Sequence, residues 1–200
     1  MRHSIHSLFY DQASAHEAEE RYDAAIALYY QVHRWAPEDP DLWLRLGVLS
    51  FLMSDRDWLE KRELVGSHLA DMGFVNAELY LARAAALAPH EARYAFWHGW
   101  VRHALYQDAE GAQAELSRAL ALDSHHPYAH AALARMAIVR EDFATALEHL
   151  APAIAALPES ARLHYDTGAC LVRCGAEAAA RAAFTRALAC ESLPLGEGAS

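Results

Sequence analysis

Apolar and polar positions along the chain fall into helical periodicity almost throughout, and the pattern predicts helices near 6–19, 22–35, 40–53, 57–72, 74–88, 92–107, 110–122, 127–140, 143–156, 161–174 and 177–190. Start and stop signals frame them. Asp39-Pro40 sets an N-cap before a proline at the first helical position, and His126-Pro127 repeats the arrangement with a weaker cap. Pro37, Pro89 and Pro158 discourage the helices before them from continuing. Acidic runs such as Glu17-Ala18-Glu19-Glu20 read as solvated helix faces.

The helices repeat as pairs. A small residue stands in the first helix of each unit at Ala13, Gly47, Gly99, Ala134 and Gly168, at spacings of 34, 52, 35 and 34. A second series, Ala25, Ala77, Ala112, Ala146 and Ala180, runs at 52, 35, 34 and 34, and four residues later stand Tyr29, Leu81, Leu116, Leu150 and Phe184. Val32, Ala84, Ala119, Ala153 and Ala187 follow in the same register, as do Pro37, Pro89, Ser124, Pro158 and Ser192. An Ala or Gly at each crossing lets two helix backbones approach closely, while the large residue fills the groove of its neighbour. One such pair cannot bury its apolar face alone, so the pairs must stack.

These registers resemble the tetratricopeptide repeat family, with Trp43-Leu44-Arg45-Leu46-Gly47 matching its first helix and Tyr22-Asp23-Ala24-Ala25-Ile26-Ala27-Leu28-Tyr29 its second. The resemblance runs from about residue 6 to 194. It implies an all-α fold, a right-handed α-α superhelix of about five helix pairs. The repeats fall at 6–39, 40–91, 92–126, 127–160 and 161–194 in a single solenoid over 1–200, with 195–200 a flexible tail. The 52-residue spacing between Gly47 and Gly99 leaves about 18 residues unassigned, which the pattern expects as an inserted helix near 57–72. Asp57 and Glu60 resemble a capping box there, and Trp58, Leu64, Val65 and Leu69 form an apolar stripe.

In the family, the first helices of successive repeats line a concave channel. Carried onto this chain, the resemblance points to Leu44, Val48, Phe51, Phe96, Trp100 and His103, then Tyr128, Arg135, Arg162, Tyr165 and Arg173, as peptide-binding positions. A mixed apolar and cationic channel suits an extended peptide carrying carboxylates. Phe96 and Trp100 also suit plain packing, and Arg135, Arg162 and Arg173 also suit a solvated outer face. The clamp that some family members use for acidic chaperone tails needs particular Lys and Asn residues, and with Lys61 and Asn76 the only ones here that pattern is absent.

Charge and chemistry narrow the function further. The formal charge of -10 opposes the phosphate neutralisation behind non-specific nucleic-acid binding, so no nucleic-acid partner is expected. No apolar window is long enough to insert in a membrane, and a cytoplasmic location is expected. Cys170, Cys174 and Cys190 fit a reducing compartment. His125, His126 and His130 form the densest metal candidate, but no Cys or carboxylate at ligand spacing completes a site. There is no phosphate loop, nucleophile elbow or helical zinc motif, so neither catalysis nor a cofactor is expected. The expected role is a protein-interaction scaffold or chaperone-like adaptor, in a narrower form a bacterial secretion or assembly chaperone. The alternatives are a self-assembling structural protein, docking through an Ala-rich C-terminal end that exposes Ala179, Ala183 and Phe184, and a substrate-recruiting accessory subunit of an enzyme.

Overall fold

The computed structural model describes residues 2–61, 68–106 and 108–191, and all regular structure among them is α-helical. The helices are α1 (Arg2–Ala18), α2 (Tyr22–His33), α3 (Pro40–Lys61), α4 (His68–Leu87), α5 (Ala92–Tyr106), α6 (Ala109–Leu122), α7 (Pro127–Val139), α8 (Phe143–Ala156), α9 (Ala161–Arg173) and α10 (Glu177–Glu191). They form two compact units, one over Met1–Glu115 and one over Leu116–Ser200, with the division inside α6.

In the first unit α1 packs on α2, α3 on α4, and α4 on α5. Ala13 and Ala25, from the two small-residue series, are fully buried beside Tyr29, Val32, Leu42 and Leu46. The next crossing is closer still: a Cβ placed on Gly47 would lie 2.5 Å from Leu81 Cγ, so only glycine leaves room for that buried leucine. Polar bonds tie the first three helices together. Arg45 donates to Glu17 Oε2 at 2.7 Å and to the Tyr10 hydroxyl at 3.0 Å, and the Tyr29 hydroxyl donates to the same Glu17 oxygen at 3.0 Å. Burial first, with Glu17 adding to it, pushes the Tyr29 hydroxyl up to about 12.

In the second unit α7 packs on α8, α8 on α9, and α9 on α10. Ala134, Ala137, Ala146, Leu150, Ala153, Leu163 and Cys170 make one buried cluster, again dominated by the small-residue registers. Gly168 admits the Phe184 ring, whose nearest atom would lie 2.7 Å from an added Cβ.

Three of the turns within helix pairs close in the same way. Arg21 N–H donates to the His16 carbonyl, Asp142 N–H to Ala137 and Ala176 N–H to Leu171, each at 2.9 Å, across a residue of positive φ. This is the Schellman closure of a helix C-terminus, and glycine suits its left-handed residue best. Gly175 supplies it after α9, whereas Glu20 and Glu141 hold φ values of 56° and 60° without that freedom.

Two expectations meet a different arrangement. Residues 57–61 continue α3 and residues 68–72 begin α4, so the flanks of the expected inserted helix extend the α3–α4 pair; residues 62–67, its middle, lie outside the described residues. The physical reason is that neither proline nor glycine occurs between Gly47 and Lys61 to stop α3, and a capping-box match alone does not start a new helix. At the C-terminal end Ala179 is exposed, but Ala183 is half-buried, and so is Phe184 because Gly168 gives its ring a seat. Residues 192–200, including the expected tail, lie outside the described residues.

Candidate partner-binding face

The positions expected to bind a peptide fall in both units, and the two sets differ in how much surface they offer. In the first unit Leu44, Val48 and Phe51 of α3 pack with Trp97 and Trp100 of α5 against Ala77, Leu81 and Val101. Phe96 is buried, with its ring 5.4 Å from Trp97 and 6.5 Å from Trp100. His103 is half-buried. These six positions therefore lie on two neighbouring helices, and most of their apolar area is already covered by packing.

The second unit is more open. Tyr128 on α7 and Tyr165 on α9 are each 56% exposed, and Arg135, Arg162 and Arg173 are exposed as well. Seven- and eleven-residue intervals put Tyr128, Arg135 and Val139 on one face of α7, and Arg162, Tyr165 and Arg173 share a face of α9. The two helices are in contact within the unit. Arg162 holds Asp166 at 3.0 Å through its Nε, and Arg173 lies 3.5 Å from Glu141 with its guanidinium 4.7 Å from the Phe143 ring centroid. Tyr165 meets Phe184 with ring centroids 5.5 Å apart.

Beside this face opens a cleft of about 420 Å³, whose lining includes Val139, Glu141, Phe143, Cys170, Val172, Arg173 and Phe184. Val139 is 77% exposed and Val172 52%, so the apolar lining is continuous with exposed aliphatic surface. Burial, reinforced by Asp166, raises the Cys170 thiol and keeps it protonated at the cleft floor. Helix α7 has no carboxylate, and the sole one in α9, Asp166, is buried and bonded to Arg162, while Glu141 at the cleft pairs with Arg173. Sequence reasoning named Tyr165 and Arg173 but passed over the cleft. A signal for it exists, since Val139-Arg140 and Val172-Arg173 recur 33 residues apart at the ends of successive first helices.

Two histidine arrangements were also invisible in sequence. His98 of α5 is buried with Nε2 3.6 Å from Glu78 and Nδ1 3.5 Å from Glu115, one carboxylate at each end of the ring. His130 faces His149 of α8 across 3.0 Å between their Nδ1 atoms, and His126 caps α7. The partner of His130 thus sits 19 residues away, beyond the local spacing that drew attention to His125, His126 and His130. Among the described residues no group of three or more His, Cys, Asp or Glu side chains is arranged to hold a metal ion.

No protein-family model matches the sequence, and no curated protein matches it. Solved structures do. A crystal structure of MamA has a TM-score of 0.67 at 19% identity, covering 97% of this chain and 98% of that one. MamA from Desulfovibrio magneticus RS-1, residues 41 to the end, has a TM-score of 0.72 at 16% identity, covering 96% and 97%. PilW, described as a widely conserved type IV pilus biogenesis factor, has a TM-score of 0.75 at 15% identity, covering 94% of this chain and 79% of its own. At these identities the likeness is one of fold, the stacked helix pairs of tetratricopeptide-repeat proteins.

Proposed function

We propose that this tetratricopeptide-fold chain is a non-catalytic scaffold that holds a segment of another polypeptide, and that the exposed α7–α9 face of its second unit makes the main contact. The observation that carries the reading is the exposed pair Tyr128 and Tyr165 beside the apolar cleft and Arg173. Tyrosine and arginine are the side chains that most often dominate binding energy, since a large rigid ring covers apolar area while its hydroxyl stays hydrogen-bonded. The scarcity of carboxylates on α7 and α9 favours a segment bearing acidic side chains. The half-buried Leu44, Val48, Phe51, Trp100 and His103, with buried Phe96, serve in the first unit as a firm wall rather than as energetic anchors. The likeness to a pilus biogenesis factor is compatible with an assembly or secretion chaperone.

No helix among the described residues is long and apolar enough to cross a membrane. The three free cysteines support a cytoplasmic location. A second reading, self-assembly, is favoured by one observation: Leu188, a large aliphatic side chain on α10, is 67% exposed. Affinity purification from the source cells, with the triple variant Tyr128→Ala, Tyr165→Ala and Arg135→Glu as control, separates the two. A stoichiometric foreign polypeptide lost in the variant supports the scaffold. Self-oligomers alone, abolished by Leu188→Glu, would establish self-assembly in its place.

A further inference from the structure

Helix α7 begins on a histidine. His126, the residue before it, accepts the Ala129 N–H at its Nδ1 across 3.2 Å, and an imidazole nitrogen can accept only while it carries no proton. One turn on, His130 Nε2 lies 3.0 Å from the Ser124 carbonyl oxygen, which can only accept, so that nitrogen bears the hydrogen. In the neutral ring His130 Nδ1 is then an acceptor, and His149 Nδ1, 3.0 Å away on α8, supplies the hydrogen. Ring centroids 5.3 Å apart place the two nitrogens nearly head-on, as an N–H···N bond requires, and not converging on a third atom as chelation would.

We propose that His126, His130 and His149 are an acid-sensitive latch, which while neutral fixes the start of α7 to α8 and to the turn over residues 123–126, and which opens when the histidines gain protons. The proton count is definite. A proton on His126 Nδ1 removes the cap and sets a cation at a helix N-terminus, where the helix dipole disfavours it and no acidic residue in the first turn offsets it. A first proton on the His130–His149 pair leaves the N–H···N bond in place, while a second sets two N–H donors face to face.

Asp123 in the turn favours the charged form of His126, and Glu148 on α8 that of His149; His125 bonds Ser124 Oγ at 3.1 Å. Arg135 stands two turns further along α7. On α9 Arg162 and Asp166 are bonded to each other, His164 Nε2 lies 2.8 Å from the Pro158 carbonyl, and Arg173 stands at the far end. Burial outweighs Asp123 at His126 and lowers it, and burial followed by His130 lowers His149. Both folded histidines thus titrate below their unfolded counterparts. Their contribution to stability is complete above about pH 6.5 and is lost as pH falls through the depressed folded values.

Tyr128 meets the His126 ring edge-on at 6.2 Å, so opening the latch displaces one of the two exposed tyrosines and weakens partner binding in acid. That consequence rests on the proposed role of Tyr128; the latch itself does not. The test is imidazole titration by NMR on the full chain, with amide hydrogen exchange followed from about pH 7.5 to about pH 5. His126 and His149 are expected to titrate below about 6.5, and protection in the first two turns of α7, corrected for intrinsic exchange, to fall at least ~10-fold while α9 keeps its own. In the double variant His126→Asn, which caps without titrating, and His149→Gln, the change shrinks to within about 2-fold. Titration of either histidine at or above about 6.5, a flat α7 profile, or an unchanged pH response in the folded double variant would overturn the latch. If circular dichroism shows that variant unfolded, the wild-type titration decides alone.

Discussion

Replacing Gly47 by alanine sets two known effects against each other. The added Cβ would lie 2.5 Å from Leu81 Cγ, 2.8 Å from its Cδ2 and 3.3 Å from the Ala77 carbonyl oxygen. Leu81 is fully buried and Cγ is its branch point, so the contact is relieved only by moving α4 or forcing a poor rotamer. Overpacking of this kind costs about 1–3 kcal/mol, while glycine to alanine within a helix returns about 1 kcal/mol. The expected balance is a net loss of about 1 kcal/mol, read as a fall of about 2–4 °C in the thermal midpoint by far-ultraviolet circular dichroism. Leu81→Ala alone should cost about 2–5 kcal/mol, because the space it leaves cannot close fully. In the double variant the new methyl occupies part of that space, so the pair is less destabilised than the sum of its parts by about 1–2 kcal/mol. A stabilising Gly47→Ala, or strict additivity in the double variant, would refute close helix approach as the reason for glycine there.

Phe96→Ala should lower stability by about 3 kcal/mol, since the ring is buried between Trp97 and Trp100, whereas Tyr165→Ala should stay within about 1 kcal/mol because its ring is more than half exposed; urea unfolding of both variants checks the contrast. Tyr29 is the alkaline counterpart of the histidines. Its folded value of about 12 lies above an unfolded value near 10, so its contribution is complete below about pH 10 and is lost as pH rises through about 12. Burial raises Tyr10, Tyr80 and Tyr94 as well, so ultraviolet absorbance should show a late group of tyrosines ionising with unfolding, and Tyr29→Phe should reduce the amplitude of that step by one tyrosine.

Much of the fold was legible because its physics repeats. Ala13, Ala25, Ala77, Ala134, Ala146 and Gly168 stand where backbones cross, and a position that tolerates only small side chains leaves a mark at every repeat. The α3–α4 pair was harder, because periodicity marks an apolar face but not its end, and between Gly47 and Lys61 no residue forces a stop. At the candidate site the family resemblance chose the helices and faces, but exposure depends on what the neighbouring helix contributes. Trp100 and Tyr165 are both large aromatics of first helices, yet Trp100 packs against Val101 and Leu81, while Tyr165 leans on Phe184 and stays open. The His130–His149 bond and the carboxylates flanking His98 join different helices, and closeness in space between residues well apart in the chain has no signature in one sequence.

If the α7–α9 face holds another polypeptide, site-specific photo-crosslinking in the source cells will capture it there. A photoreactive phenylalanine analogue replaces Tyr128 or Tyr165 on that face, or the exposed Leu79 on α4 as a control. One foreign polypeptide should be captured from positions 128 and 165 and not from 79. Capture from Leu79 alone, or of nothing but further copies of this chain from all three positions, would contradict binding at this face.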